Sequence, residues 1–317
     1  MQRIPALDGL RAVAILMVVG YHIDKTLVPA GHWGVTVFFA LSGYVITTSL
    51  CSEVDRTGGL DLRSFYLKRG LRLVPALLAL CLVLLAWGAS WSEVVPALGF
   101  NANYARIEGA DLGLLTHTWF VAVIVHFYVL WPLVVGALPA RHRRSVIGAL
   151  AVAAILWRVA AIGIMSPGWV YNATDTNAAA LLVGAFLAVS RPPTWRFAGW
   201  SLPVLLSLMF VPVFGDSGSA VLWGGFVALA LGALTVQYAI SGPGWLEHPT
   251  LLRLAEVSFG LYLWHYVFVR SDLPLWAALA LTVVATAASW YLIEQPMLRW
   301  AAAVKNRSRT AVLAVRT

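Results

Sequence analysis

Arg11 and His22 lie eleven residues apart in an almost wholly apolar segment near the start of the chain. An α-helix turns every 3.6 residues, so both side chains face the same way, about 16–17 Å apart along the axis. Ionisable groups inside a membrane helix are costly and by default mark a functional site. The pair predicts a site that binds an anion at Arg11 and moves a proton at His22, because imidazole titrates near neutral pH. A histidine that only hydrogen-bonds a neighbouring backbone or serine is the alternative.

The chain that carries this pair is strongly hydrophobic. Of its 317 residues, 60% are hydrophobic and 11% are charged, which predicts an all-α, polytopic transmembrane helical bundle in a bacterial-type plasma membrane. The net charge of +8 could suggest nucleic acid. The basic residues lie in short loops between apolar segments, however, so the expected partner is the lipid bilayer and not nucleic acid. Cys51 and Cys81 form neither a disulfide framework nor a metal-ligand spacing, and no metal site is expected.

Apolar segments predict about ten membrane spans. Their expected boundaries are 7–26, 33–50, 71–91, 117–138, 145–163, 174–189, 198–214, 220–240, 252–270 and 273–293. The first segment lacks a cleavage site and is interpreted as a span rather than a signal peptide. Residues 1–300 are expected to form one transmembrane domain, followed by a short basic cytoplasmic tail at 301–317.

The distribution of charge predicts the orientation. With a cytoplasmic N-terminus, 17 basic residues fall on the cytoplasmic side, and only Lys25, Arg106 and Arg270 fall outside. Cytoplasmic loops of membrane proteins are enriched in lysine and arginine, so both termini are predicted to be cytoplasmic. His22 and His265 then lie in the outer halves of their spans.

A second basic group lies at the cytoplasmic start of the third predicted span. Arg69 and Arg72 are three residues apart on one helix face, with Lys68 beside them. Such arginines can hold phosphates by forked hydrogen bonds. An anchor to lipid headgroups is the alternative, and the spacing alone favours it.

Polar stripes in later spans could face an internal cavity. Ser258, Tyr262 and His265 share one face of the ninth predicted span, although hydrogen bonding between helices would explain them equally well. Trp119 and His126 share a face of the fourth span, where the tryptophan could stack on a ligand or simply pack. Ser42, followed by glycine, predicts a close helix approach in the second span.

Six segments, in this order and spacing, resemble the membrane acyltransferase family 3, the integral-membrane O-acyltransferases of cell-surface glycans and some secondary metabolites. The segments are "ALDGLRAVAILMVVGYH", "GVTVFFALSGYVIT", "FYLKRGLRLVPAL", "HTWFVAVIVHFYVLWPL", "LEHPTLLRLAEVSFGLYLWH" and "YLIEQP". Arg11 and His22 occupy the family's motif of arginine, ten residues and histidine. The resemblance makes residues 1–300 an acyltransferase-3-like domain.

The resemblance implies an acyltransferase of groups other than aminoacyl groups, acting in the cell envelope. It would carry out O-acetylation or a related reaction, moving an acyl group from cytoplasmic acyl-CoA, with acetyl-CoA the expected donor, to a hydroxyl of a glycan or glycoside. The acyl-CoA is a co-substrate, and no permanently bound cofactor is implied.

The family motifs also imply roles for individual residues. His22 would be the general base or the acyl relay, and Arg11, Lys68, Arg69 and Arg72 would bind the donor's phosphates or position the site. Five further residues match family positions of less defined role: Trp119, Tyr128, Ser258, Tyr262 and His265. Ser42 and His126 are further candidates for the cavity, and His126 stands near a position where glutamine is common.

Three positions depart from the family pattern. Thr36 stands where many members carry an acidic residue, Ile124 where many carry glutamate, and Asn177 where many carry arginine. These departures favour a subfamily with a different acceptor over an inactive enzyme, because His22 and the basic donor-side residues remain.

Two other functions stay open at this stage. A transporter or exporter of a lipid-linked or acylated intermediate would suit a helical bundle, but the sequence shows no internal repeat and no paired helix interruptions. A catalytically silent scaffold is supported only by the three departures.

Overall fold

The computed structural model describes residues 4–190, 192–193, 195, 197–215 and 218–301. Arg3, Arg191 and Arg196, which contributed to the predicted orientation, lie outside this part of the chain. So does the predicted basic tail beyond Ala301. The predicted orientation of the termini therefore remains a prediction.

The described chain is helical, with no β-strand in the ranges above. Its helices are α1 (Pro5–Ile23), α2 (Trp33–Thr57), α3 (Leu62–Ala86), α4 (Trp91–Leu98), α5 (Ala102–Ile107), α6 (Trp119–Ala137), α7 (Ala140–Ile164), α8 (Pro167–Asn172), α9 (Thr174–Ser190), α10 (Ala198–Leu208), α11 (Gly218–Ile240), α12 (Pro249–Glu256), α13 (Ser258–Val269) and α14 (Leu275–Ser289). A 3₁₀ turn at Gly113–Thr118 leads into α6, and a π-helical turn at Trp290–Glu294 follows α14.

These helices confirm the prediction of an all-α, multi-pass membrane protein. Eight of the ten predicted spans coincide with helices that are long and apolar enough to cross a bilayer. The other two are shorter. The segment predicted at 198–214 contains α10, which has 11 residues. The segment predicted at 252–270 is divided into α12 and α13, which meet at Val257.

Local sequence explains where several helices begin and end. Pro5 occupies the start of α1, where its missing N–H costs no hydrogen bond. The Asp61 carboxylate accepts a hydrogen bond from the Ser64 amide at the start of α3. Gly58 ends α2 in a left-handed conformation, with φ of 76°.

α1 and α2 form the centre of the bundle. In both helices 56% of the apolar span is buried, against 22% of the spans in Ala140–Ile164 and Leu275–Ala301. The spans in Ala140–Ile164 and Leu275–Ala301 therefore present most of their surface to lipid. The central position of α1 and α2 means that Arg11, His22 and Ser42 lie in the interior of the bundle rather than at its lipid surface.

Two glycines allow α2 and α9 to touch backbone to backbone. A Cβ atom on Gly43 would lie 1.8 Å from the carbonyl oxygen of Leu181, and one on Gly184 would lie 1.9 Å from that of Ala40. Small residues permit this approach between membrane helices. The predicted close contact beside Ser42 is confirmed.

Gly43→Leu is expected to separate α2 from α9 and to destabilise the bundle. Overpacking in a well-packed core costs about 1–3 kcal/mol, and here the obstacle is backbone that no rotamer change can move. We expect a lower midpoint of thermal unfolding for the detergent-purified protein. Gly163→Ala is the control, because nothing lies within 4 Å of a Cβ there. An unchanged midpoint for Gly43→Leu would contradict the close approach.

Candidate functional site

Two cavities in the bundle interior contain most of the predicted site residues. The first, of about 100 Å³, is called the arginine cavity; among its lining residues are Arg11, Ser42, Arg69, Arg72, Ile124, Tyr128, Ser258 and Tyr262. The second, of about 360 Å³, is called the histidine cavity; among its lining residues are His22, His32, Arg106, His117, Trp119, Tyr171, Tyr262, Tyr266 and Arg270. The larger volume is that of a small-molecule site.

The arginine cavity gathers three guanidinium groups from two helices. Arg11 comes from α1, and its Nη1 donates to Asp8 Oδ1 at 2.7 Å. Arg69 and Arg72 come from α3. The guanidinium of Arg69 lies 4.9 Å from the ring centre of Tyr128, a cation–π contact that holds its plane in place. Three cations around one small cavity create a site for an anion.

Two residues of the polar stripe predicted for the ninth span, Ser258 and Tyr262, line the arginine cavity, and the third, His265, lies behind His22. Ser258 begins α13 at the break after α12, and its hydroxyl donates to the Ala255 carbonyl. It lines the arginine cavity beside Tyr262. His265 is fully buried and reaches the other cavity through His22. Ser258 therefore lies at a helix break within the membrane domain, where irregular backbone is tolerated next to a cavity.

His22 and His265 form a hydrogen-bonded pair whose proton positions follow from their neighbours. Nδ1 of His265 lies 3.0 Å from the carbonyl oxygen of Leu261, which can only accept, so this nitrogen carries a proton. In the neutral imidazole Nε2 is then an acceptor, and it lies 3.0 Å from Nδ1 of His22. His22 consequently donates from Nδ1 and keeps the lone pair of Nε2 for chemistry. His22 lines the histidine cavity.

A third histidine and a tyrosine complete this aromatic group. The ring of His117 stacks on Tyr266 with centroids 4.8 Å apart, and Tyr266 meets His22 edge-on at 5.0 Å. Nε2 of His117 lies 3.1 Å from the Leu263 carbonyl. His117 lies in the 3₁₀ turn before α6. Its stacking on Tyr266 and its hydrogen bond to the backbone of α13 therefore hold this turn against the pair formed by His22 and His265.

Tyr262 lies between the two cavities and lines both of them. Its hydroxyl donates to the carbonyl oxygen of His117. Neighbouring residues of one segment confirm how close the cavities are, because His117 and Trp119 line the histidine cavity, whereas Phe120 and Val121 line the arginine cavity. The two cavities therefore adjoin at Tyr262.

Three predicted site residues line neither cavity: His265, which lies behind His22, and Lys68 and His126. Lys68 is half-buried on α3. His126 lies on α6, where its Nδ1 is 2.7 Å from Thr174 Oγ1 and its ring stacks on Tyr104. Trp119 and His126 are seven residues apart on the continuous helix α6, as predicted, but only Trp119 lines the histidine cavity.

The three departures from the family pattern fall at cavity walls. Ile124 lines the arginine cavity. Thr36 and Asn177 line a small adjoining space of about 20 Å³, which is about the size of one water molecule. The buried guanidinium of Arg158, from α7, lines the same space and donates to the Val170 and Thr176 carbonyls. A cation is therefore present beside Asn177, although it comes from another helix.

Several lining residues were not predicted to belong to the site. Arg106, Tyr171, Tyr266 and Arg270 all line the histidine cavity. The sequence contained one indication of a role for Arg106 and Arg270, because they are two of the three basic residues on the predicted non-cytoplasmic side, where few are expected. Within the described ranges, no group of three or more His, Cys, Asp or Glu side chains is arranged to hold a metal ion. The lack of a metal in the reaction remains a prediction.

Comparisons with known proteins identify the family of the chain. A profile described as "Acyltransferase domain" matches residues 4–294. The O-acetyltransferases OatA of Staphylococcus aureus strains NCTC 8325 / PS 47, COL and MRSA252 are each 30% identical over 350 aligned residues, which include 93% of this chain. The chain spans 57% of the length of these relatives. No solved structure matches.

The profile match extends over nearly all of the described chain and includes both cavities. It confirms the resemblance noted in the sequence. The chain is an integral, multi-pass membrane protein that belongs to the acyltransferase-domain family.

Proposed function

We propose that the protein is an acyl-CoA-dependent membrane O-acyltransferase that transfers an acetyl group to a hydroxyl of a glycan or glycoside. The observation that carries this proposal is the position of Tyr262 in the wall of both cavities. The cavity that holds the cationic site and the cavity that holds the histidine base therefore adjoin at this residue. An elongated anionic donor can enter on one side and meet a hydroxyl acceptor on the other.

The arginine cavity supports binding of the donor. Coenzyme A carries phosphates, and guanidinium groups bind phosphates through paired, charge-assisted hydrogen bonds. Arg11 and His22 lie about 16–17 Å apart along α1, so the donor must be long enough to bring its thioester to the histidine.

The histidine cavity supports activation of the acceptor. Nε2 of His22 takes the proton of the acceptor hydroxyl while its oxygen attacks the thioester carbonyl. The carbon–sulfur bond then breaks, and the proton held by His22 passes to the departing thiolate. The His265 partner keeps the proton on Nδ1 of His22, so that Nε2 remains the base. This is the orienting role that a third group plays in catalytic triads.

His265→Met is expected to lower the transfer rate about tenfold to a hundredfold without removing it. Methionine fills the space but accepts hydrogen bonds only weakly, so the His22 ring loses its fixed orientation. His265→Gln should recover part of the rate, because its amide oxygen can accept from Nδ1 of His22. Initial rates at saturating donor are measured for both variants. Equal rates for the two, or an unchanged rate in His265→Met, would exclude a positioning role.

The function is tested with purified protein in lipid nanodiscs. The protein is incubated with radiolabelled acetyl-CoA and with glycans and glycosides extracted from cells that lack the gene. We expect label to pass to one class of acceptor, and mass spectrometry to show one added acetyl group. Transport of an acceptor across vesicles without acyl-CoA, together with no labelled product, would support the transporter instead.

A further inference from the structure

The histidine cavity carries a positive electrostatic character of its own, separate from the arginine cavity. Arg106 and Arg270 line it, and no carboxylate is among its lining residues in the described part of the chain. The predicted orientation places only three basic residues on this side of the membrane, and these are two of them. Lysine and arginine are usually scarce on the non-cytoplasmic side, so membrane topology does not explain why these two arginines are there.

Neither arginine is neutralised by an ion pair with a described residue. The guanidinium of Arg106 lies 6.0 Å from the ring centre of Tyr171, and that of Arg270 lies 5.7 Å from that of Tyr266. Both tyrosines also line the cavity. Aromatic faces hold the guanidinium planes in place while leaving their N–H donors free for a ligand.

The carboxylate of Asp175, on α9, is occupied elsewhere. Its Oδ2 accepts from the indole nitrogens of Trp157 at 2.8 Å and Trp169 at 3.2 Å, and its Oδ1 accepts from the Thr176 amide. Asp24, next to α1, accepts from the hydroxyl and amide of Thr26. These two carboxylates are used in local structure and form no ion pair with Arg106 or Arg270.

We propose that the histidine cavity selects an acceptor that bears an anionic group, a carboxylate or a phosphate, near the hydroxyl to be acylated. The inference rests on the proposed function and adds to it the charge class of the acceptor. Arg106 and Arg270 hold the anionic group by charge-assisted hydrogen bonds, and His22, in the same cavity, receives the hydroxyl. Neutral glycosides would leave both guanidinium groups without a partner.

Binding of matched ligands to the purified protein tests this proposal. The ligands are carboxymethyl ethers of methyl glucoside, substituted at each hydroxyl in turn, with their carboxamides as neutral isosteres and the corresponding phosphate esters. We expect at least one carboxylate or phosphate to bind about tenfold to a hundredfold more tightly than its neutral counterpart, as one or two charge-assisted hydrogen bonds would give. The carboxylate and phosphate arms distinguish the two sources of negative charge.

Variants then assign any preference to the two arginines. Arg106→Gln with Arg270→Gln is expected to abolish the preference, whereas the paired lysine variants, which keep the charge, should retain most of it. Arg253→Gln, an exposed arginine on α12, is the control and should retain all of it. Anions that bind no more tightly than carboxamides overturn the proposal, including the case in which neither binds detectably. A preference that survives the paired glutamine variant also overturns it.

Transfer assays separate this inference from the proposed function. Anion-selective binding with no acetyl transfer to any acceptor would contradict the proposed function and would still support an anion-binding site in the histidine cavity. Transfer that falls equally for carboxylate and carboxamide acceptors in the paired glutamine variant would show that the arginines act on His22 and not on the acceptor. That result would overturn the inference and leave the enzyme.

Discussion

His22→Gln is expected to reduce acetyl transfer by about 10²–10⁴-fold, which is the usual contribution of a positioned general base. Glutamine keeps a hydrogen-bonding side chain next to His265 but cannot take the hydroxyl proton. Transfer from radiolabelled acetyl-CoA is measured in membranes that contain equal amounts of each variant. The elution profile of the detergent-purified protein reports whether the bundle is intact.

His142→Gln is the matched control for this substitution. His142 lies at the exposed start of α7, where its Nε2 accepts from the neighbouring Arg141, and it lines neither cavity. The His142→Gln variant should transfer acetyl at the wild-type rate. If His22→Gln retained a rate within tenfold of wild type, His22 would not be the base.

The same variant series can separate a base from an acyl carrier, since a free Nε2 lone pair could serve either role. When acceptor is omitted, a carrier would hold radiolabel on the protein after rapid quenching, and His22→Gln would lose that label. The proposed direct transfer predicts no label on the wild-type protein under these conditions. Radiolabel on the wild-type protein would therefore show that His22 carries the acyl group and is not only a base, and the position of the site would be unaffected.

Hydropathy and spacing predicted the fold class well because the membrane imposes one solution on apolar segments. Backbone polar groups in lipid must be satisfied within each segment, so a long apolar run becomes a helix. The break at Val257 was not predicted, since α12 and α13 together are as long as one span and no proline or glycine separates them. Such a break depends on packing against the rest of the bundle.

The candidate site was predicted best where helix periodicity alone relates the residues. Arg11 and His22 share α1, and Arg69 and Arg72 share α3, so their relative placement follows from one rigid element. The hydrogen bond between His22 and His265 joins residues 243 positions apart. Sequence indicated a similar depth for both histidines, but their contact depends on how α1 packs against α13.

The position of Arg106 in the histidine cavity could not be predicted from the sequence. Arg106 lies at the end of the short helix α5, in a segment that hydropathy identifies only as a loop. Its place beside His22 results from α5 folding back against α6 and α8, which no periodicity in the segment encodes. Loops commonly carry binding residues for this reason, because a rigid scaffold places them over the site.

Arg72→Gln is expected to raise the KM for acetyl-CoA about tenfold to a hundredfold, with a smaller change in kcat. A hydrogen bond to a charged group contributes about 1.5–3 kcal/mol, and each 1.4 kcal/mol corresponds to a factor of ten. Arg72 is the arginine with the strongest structural support for this role. All three arginines line the arginine cavity, but Arg11 is already paired with Asp8, and within the described ranges Arg72 has no ion pair within 4 Å.

A truncated donor makes this test specific for phosphate binding. Acetyl-pantetheine carries the thioester but lacks the phosphates, so wild type and Arg72→Gln should share the same KM for it. Arg72→Lys should recover part of the affinity for acetyl-CoA, because lysine keeps the charge but not the forked geometry. An equal rise in KM for both donors in Arg72→Gln would mean that the arginine supports the bundle and does not bind the nucleotide.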